Sequence, residues 1–176
     1  MSKVTFEIRD AKTDEFELIG QLMVSVYAQL HGFPSPKEQP KYYEKLSHVG
    51  ALTEQKETRL LVAVSDKGII GGAVVYFGDM KDYGSGGIAT QEQDAAGFRL
   101  LAVDLEYRGQ GLGQLLTQTC IDRAKAAKKT RLVIHSTKAM QIAWAMYEKM
   151  GFERAPDLDF MQGNLPVFGF RLQLGN

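Results

Sequence analysis

Apolar and polar residues alternate from Val4 to Arg9, a period of two that predicts a half-buried strand. Phe16, Leu18, Ile19, Leu22, Met23, Val26 and Leu30 then recur at helical spacing, with Thr13 or Asp14 as the cap. The stretch HGFPSPKEQP ends that helix, and Tyr42 to Leu52 predicts a second, weaker one. RLLVAVSDKGIIGGAVVYF reads as two strands joined by a tight turn at Asp66, Lys67 and Gly68, with a bulge at Gly71 and Gly72. Gly78 to Ala96 is polar, rich in glycine and without a period, either a mobile or substrate-facing loop or a disordered insertion. Phe98 to Val103 is a short apolar strand. Leu112, Leu115, Leu116, Thr119, Cys120, Ala124 and Ala127 trace one face of a following helix. Arg131 to Ser136 predicts a strand, and Ala139 to Met150 a helix stopped by Gly151. Phe152 to Arg154 and Val167 to Leu174 complete the series. The order β-α-α-β-β-β-α-β-α-β-β implies an α/β chain with helices packed on a mixed sheet, as one domain over residues 1–176.

Composition changes this picture little. Lys and Arg number 21, as do Asp and Glu; that balance argues against a general nucleic-acid or anionic-membrane binder, which needs a basic surplus. It does not exclude a local basic pocket. The single cysteine, Cys120, makes no internal disulfide and sits on an apolar helical stripe, where it reads as packing. Three scattered histidines lack the spacing of zinc ligands, so no metal is expected. MSKVTFEIRD carries no long apolar stretch, and a soluble cytoplasmic protein is the expectation.

The candidate chemistry lies in LAVDLEYRGQGLGQLL, residues 101–116, where three glycines alternate behind an arginine between a strand and a helix. A helix start leaves amide N–H groups without intrahelical partners, and the helix dipole adds positive potential there. Glycine lets a phosphate approach those amides, and Arg108 brings a permanent charge of forked geometry. These are the ingredients of a diphosphate cradle; a purely structural turn is the competing reading. No Lys-Ser or Lys-Thr pair follows, so this is not a P-loop. Gln114 stands where the dinucleotide fingerprint needs its third glycine.

What is present is Arg-x-x-Gly-x-Gly at Arg108, Gly111 and Gly113, then the strand RLVIHS, then Tyr-Glu-Lys-x-Gly-Phe from Tyr147. In this order and spacing the second half of the chain resembles the GNAT superfamily of acetyl-CoA-dependent N-acetyltransferases. The first half agrees only in its order of elements. The resemblance implies a mixed, mostly antiparallel sheet of about seven strands with about four flanking helices. It implies acetyl-CoA as co-substrate and a primary amine as acceptor. Arg108, Gly109, Gln110, Gly111, Leu112 and Gly113 would cradle the pyrophosphate, and main-chain groups of Leu101, Ala102 and Val103 would pair with the pantetheine arm. Ala143 would admit that arm, and Tyr147 would protonate the departing thiolate as general acid. A homodimer through the C-terminal strands is common among such proteins.

Departures from the family pattern accompany these matches. Met140 stands where many members carry asparagine, and Leu105 where proline is frequent. Gly97 and Phe98 occupy the strand start where members often place a glutamate base. Glu92, Asp94 or an ordered water are the alternatives for that base, while Asp104 and Glu106 are expected to face solvent. His135 reads as a core or edge histidine, Trp144 as a packing anchor, and Lys125, Lys128, Lys129 and Arg131 as a solvated helix end. Tyr27, His31, Phe33, Tyr42 and Tyr83 are candidates for an acceptor pocket. Two other classes fit the same sequence: a non-catalytic acyl-CoA-binding module, and an interaction protein whose glycine turn binds nothing.

Overall fold

A computed structural model describes residues 4–175, in which the chain clusters into two compact units. The first comprises, among the described residues, 4–75 and 100–119. Its strands β1 (Phe6–Asp10) and β2 (Thr58–Ser65) pair antiparallel, from Phe6 opposite Ser65 to Asp10 opposite Leu61. Between them run α1 (Phe16–Ala28) and α2 (Pro40–Ser47), which begins on the proline of the helix-breaking segment. The predicted helix over Tyr42 to Leu52 divides at His48, beyond which Val49–Glu54 is a tighter 3-10 helix. Ile19, Met23, Val26, Leu46 and Val49 are buried, whereas Leu18, of the same predicted set, is exposed.

The entry to α1 is clamped electrostatically. Arg9 on β1 grips Glu15 with two parallel N–H···O bonds of 2.9 and 2.8 Å, and the same carboxylate accepts the Lys12 amide at 2.7 Å. These bonds, the arginine's first, hold the Glu15 carboxyl at about 2, well below its ordinary value. A lowered carboxylate contributes stability above its unfolded pKa, here above about pH 4.5, and loses it as pH falls toward 2. Glu15→Gln should therefore cost about 1 kcal/mol near neutral pH. Urea titrations should show the gap to the parent protein closing as pH falls from about 4.5 toward 2.

The strand β3 (Ile70–Phe77) carries Gly71 and Gly72. Neither has a positive φ, and their role is spatial. A Cβ on Gly71 would stand 2.9 Å from a methyl of Leu112, and one on Gly72 3.2 Å from a methyl of Leu116. Both leucines belong to α3 (Leu112–Ala126) and are buried. Left-handed backbone occurs instead at Leu100, in β4 (Ala95–Val103), whose φ is 62°.

The second unit comprises, among the described residues, 76–99 and 120–175. The stretch from Gly78 to Ala96 packs rather than standing apart. It contains 3-10 turns at Met80–Asp82 and Ala89–Gln91, buries Met80, Tyr83 and Ala89, and ends inside β4. β5 (Arg131–Ser136) coincides with its sequence expectation. α4 (Gln141–Lys149) is followed by β6 (Glu153–Arg154), β7 (Phe160–Gln162) and β8 (Leu165–Gln173). The residues of β7 lacked a readable alternation, so its hairpin with β8 raises the count to eight strands. Trp144 packs edge-on against Phe168 and Phe170, with centroids 5.4 and 4.9 Å away, as an anchor should. Cys120 is fully buried in packing.

The eight strands hydrogen-bond in the order β1-β2-β3-β4-β5-β8-β6, with β7 on β8. The β4–β5 pair is parallel; β1–β2, β5–β8, β6–β8 and β7–β8 are antiparallel. The fold is thus the expected mixed α/β sheet with four α-helices among the described residues.

Candidate active site

In the first unit, β4 ends at Val103 and the chain reaches α3 through a short, well-anchored turn. The Asp104 amide donates to Gly71 O at 2.9 Å, and the Asp104 carboxylate accepts the Glu106 amide at 2.9 Å. Tyr107 packs edge-on against Phe6 at 5.3 Å. Buried Leu112 and Leu116 pin the other side. Between these anchors Arg108, Gly109, Gln110 and Gly111 are all exposed. Gly109 and Gly111 have φ of 79° and 82°, a left-handed conformation that side-chain-bearing residues adopt at a cost. A Cβ at either would meet no protein atom within 4 Å.

The amides of this turn are unspent. Among the described residues, none from Gly109 to Gln114 donates to a backbone carbonyl, and the first that does is Leu115, to Gly111 O at 3.0 Å. Arg108 likewise pairs with no carboxylate among the described residues. Free amides at the start of a fifteen-residue helix, beside an unpaired guanidinium, suit an anion. The predicted residues Arg108, Gly109, Gln110, Gly111, Leu112 and Gly113 therefore fit a diphosphate, with Leu112 serving from below as a buried anchor.

Leu101, Ala102 and Val103 follow Leu100, whose backbone is left-handed. Ala102 is buried, whereas Leu101 and Val103 are half-buried. Tyr27 of α1 donates its hydroxyl to Leu101 O at 2.9 Å, capping a carbonyl beside the distorted residue. The remaining first-unit aromatics proposed for an acceptor pocket separate. Phe33 and Tyr42 cluster with Tyr27 at centroid distances of 5.5 and 6.5 Å, while His31 is exposed.

In the second unit, β4 and β5 pair only from Ala95 opposite Arg131 to Gly97 opposite Val133. Ile134, His135 and Ser136 continue β5 without a β4 partner, so the two strands part there. Tyr147 is buried between Phe98 and Phe152, at 5.8 and 5.6 Å, and its hydroxyl has no hydrogen-bond partner among the described residues. Burial pushes its phenol above the ordinary value, so it stays protonated. Ala143, one turn earlier on α4, is half-buried.

The strand position expected to hold a base is physically filled. A Cβ on Gly97 would lie 2.8 Å from Val133 O and 2.8 Å from the Tyr83 ring. Tyr83 is fully buried, and its hydroxyl donates to His135 Nδ1 at 3.0 Å; His135 Nε2 donates to Leu158 O at 2.9 Å. Burial lowers the His135 pKa, which favours this neutral tautomer with both ring nitrogens engaged. His135 is thus a satisfied histidine. Gly97→Ala should destabilise the protein by about 1–3 kcal/mol, measurable by thermal denaturation.

Glu92 is also committed. It accepts Arg171 Nε at 2.7 Å and lies 3.6 Å from Arg131 Nε, so Arg131 leaves the supposed solvated cluster. Asp94 is exposed, with φ of 58°. Glu106 faces solvent as expected, and Asp104 is half-exposed while capping the turn. Among the described residues, no three histidine, cysteine or carboxylate side chains gather as metal ligands. No helix among them is long and apolar enough to cross a membrane.

A family model for the acetyltransferase (GNAT) family matches residues 21–152. The chain belongs to the GNAT family of acetyl-CoA-dependent N-acetyltransferases. It is similar in fold to a GNAT-family acetyltransferase from Staphylococcus aureus Mu50, at 14% identity, 97% and 100% coverage of the two chains and a TM-score of 0.73. It is equally similar to the PaiA N-acetyltransferase of Thermoplasma acidophilum in complex with coenzyme A, at 14% identity, 96% and 99% coverage and a TM-score of 0.73. A Salmonella typhimurium acetyltransferase with its cofactor acetyl-CoA matches at 18% identity, 98% and 95% coverage and a TM-score of 0.63. No curated protein matches the sequence significantly.

For a GNAT chain, two features escaped the sequence reading. Tyr27 reaches a carbonyl 74 residues away, and Tyr83 meets His135 across 52. No local pattern encodes either contact.

Proposed function

We propose that this GNAT protein transfers an acetyl group from acetyl-CoA to a primary amine by direct attack in a ternary complex, as one N-acetyltransferase domain over residues 1–176. The observation that carries the reading is the turn from Arg108 to Gly113, exposed from Arg108 to Gly111, with its free amides and unpaired guanidinium. The arrangement suits the double phosphate of CoA. Main-chain groups of Leu101, Ala102 and Val103 serve the pantetheine arm, with a strand amide there as donor to the developing oxyanion. The thioester supplies the activated acetyl group.

The chain's own residues then manage protons. With Gly97 backed by Tyr83 and Glu92 held by arginines, the attacking amine loses its proton to water or to exposed Asp94. Tyr147 gives its phenolic proton to the departing sulfur, and solvent replaces it. Burial raises the pKa of a phenol and of a thiol alike, so a buried tyrosine and a buried thiolate remain matched. An assay with acetyl-CoA across amino acids, polyamines, aminoglycosides and protein amino groups, read by release of free thiol, tests the proposal. Turnover with one amine class supports it.

The filled position at Gly97 favours a second reading, a non-catalytic acyl-CoA-binding module. That reading gives CoA binding by calorimetry without thiol release for any amine, and a Tyr147→Phe variant indistinguishable from the parent.

A further inference from the structure

Ser136 closes β5 and Thr137 follows it, and both are buried, at 2% and 4% exposure. Neither hydroxyl has a hydrogen-bond partner among the described residues. A buried hydroxyl without a partner is disfavoured, and two adjacent ones call for an explanation. Packing alone does not supply one. Alanine and valine would occupy the same space without a polar atom to satisfy.

Their place in the fold narrows the partner. The last β4–β5 rung is Gly97 opposite Val133, so this end of β5 has no strand beside it on the β4 side. The other side is occupied, since Ser136 lies opposite Phe168 of β8. By strand alternation Ser136 shares a face with Leu132 and Ile134, both buried and apolar. Thr137 O accepts the Met140 amide at 3.0 Å, placing the pair directly before α4, which carries Ala143 and Tyr147. An occupant of this place is extended, largely apolar and able to accept hydrogen bonds.

We propose that Ser136 and Thr137 are cofactor-binding residues whose hydroxyls donate to carbonyl oxygens of the amide-bearing arm of CoA. The inference rests on the acetyl-CoA reading above and adds two residues to it.

The test compares CoA with 3′-phospho-ADP, which has the double phosphate but no arm, by calorimetry on the parent and on Ser136→Ala/Thr137→Val. The double variant should bind CoA about tenfold more weakly and 3′-phospho-ADP unchanged. Its ligand-free thermal midpoint should be equal or higher, because the orphaned hydroxyls are gone. Unchanged CoA affinity overturns the assignment and leaves the acetyl-CoA reading standing. An equal loss for both ligands, or a lower midpoint, makes the pair structural and also overturns it. A parent protein that binds neither ligand removes the acetyl-CoA reading and this one with it. Should the double variant fail to fold, Thr137→Val alone, nearly isosteric, serves in the same comparison.

Discussion

Gly111→Val should weaken CoA binding by about a hundredfold or more in calorimetry. Two effects act together. At φ of 82° an L-residue costs roughly 1–2 kcal/mol, so the turn tends to relax out of the shape that presents its amides. The side chain also fills the space through which a phosphate reaches them, space in which no protein atom stands within 4 Å. Gly111→Asn separates the two, because asparagine tolerates the left-handed conformation but still adds bulk. If obstruction dominates, both variants lose affinity, while Asn keeps a thermal midpoint close to the parent's. Full CoA affinity in Gly111→Val would contradict the cradle.

Tyr147→Phe should lower kcat by about a hundredfold or more, with the KM for acetyl-CoA changed little. The ring stays, keeping its contacts with Phe98 and Phe152, so cofactor packing survives. The hydroxyl it loses has no partner among the described residues, so stability should hold or rise, unlike the usual loss of a buried bonded tyrosine. The pH profile supplies a further check. Burial raises the phenol's pKa, so the acid stays protonated and this group produces no alkaline decline in kcat up to about pH 10. An unchanged kcat with an identified amine would remove Tyr147 from the chemistry and favour the binding-module reading.

Much of the architecture was legible in short-range pattern. β5 runs from Arg131 to Ser136 as its apolar run indicates, and α3 begins one residue after Gly111. The family was legible too, because its motif residues from Arg108 to Gly113 and from Tyr147 to Phe152 lie in two contiguous segments. The room that Gly71 and Gly72 leave for the leucines of α3, and the left-handed backbone of Leu100, carry no local signal. Gly78 to Ala96 looked unstructured because its order comes from Tyr83 and its neighbours being buried, not from a period.

By itself the sequence determined the order of elements except β7, the glycine turn behind Arg108 and the tyrosine on α4. Each is written in residues that neighbour one another, and local sterics and hydrogen bonding act at that range. Only the tertiary structure decided that a glutamate has no room at Gly97, that Glu92 is bound to two arginines, and that Ser136 and Thr137 are left without partners. Whether a side chain is free or spent depends on residues tens of positions away, and packing alone brings those together.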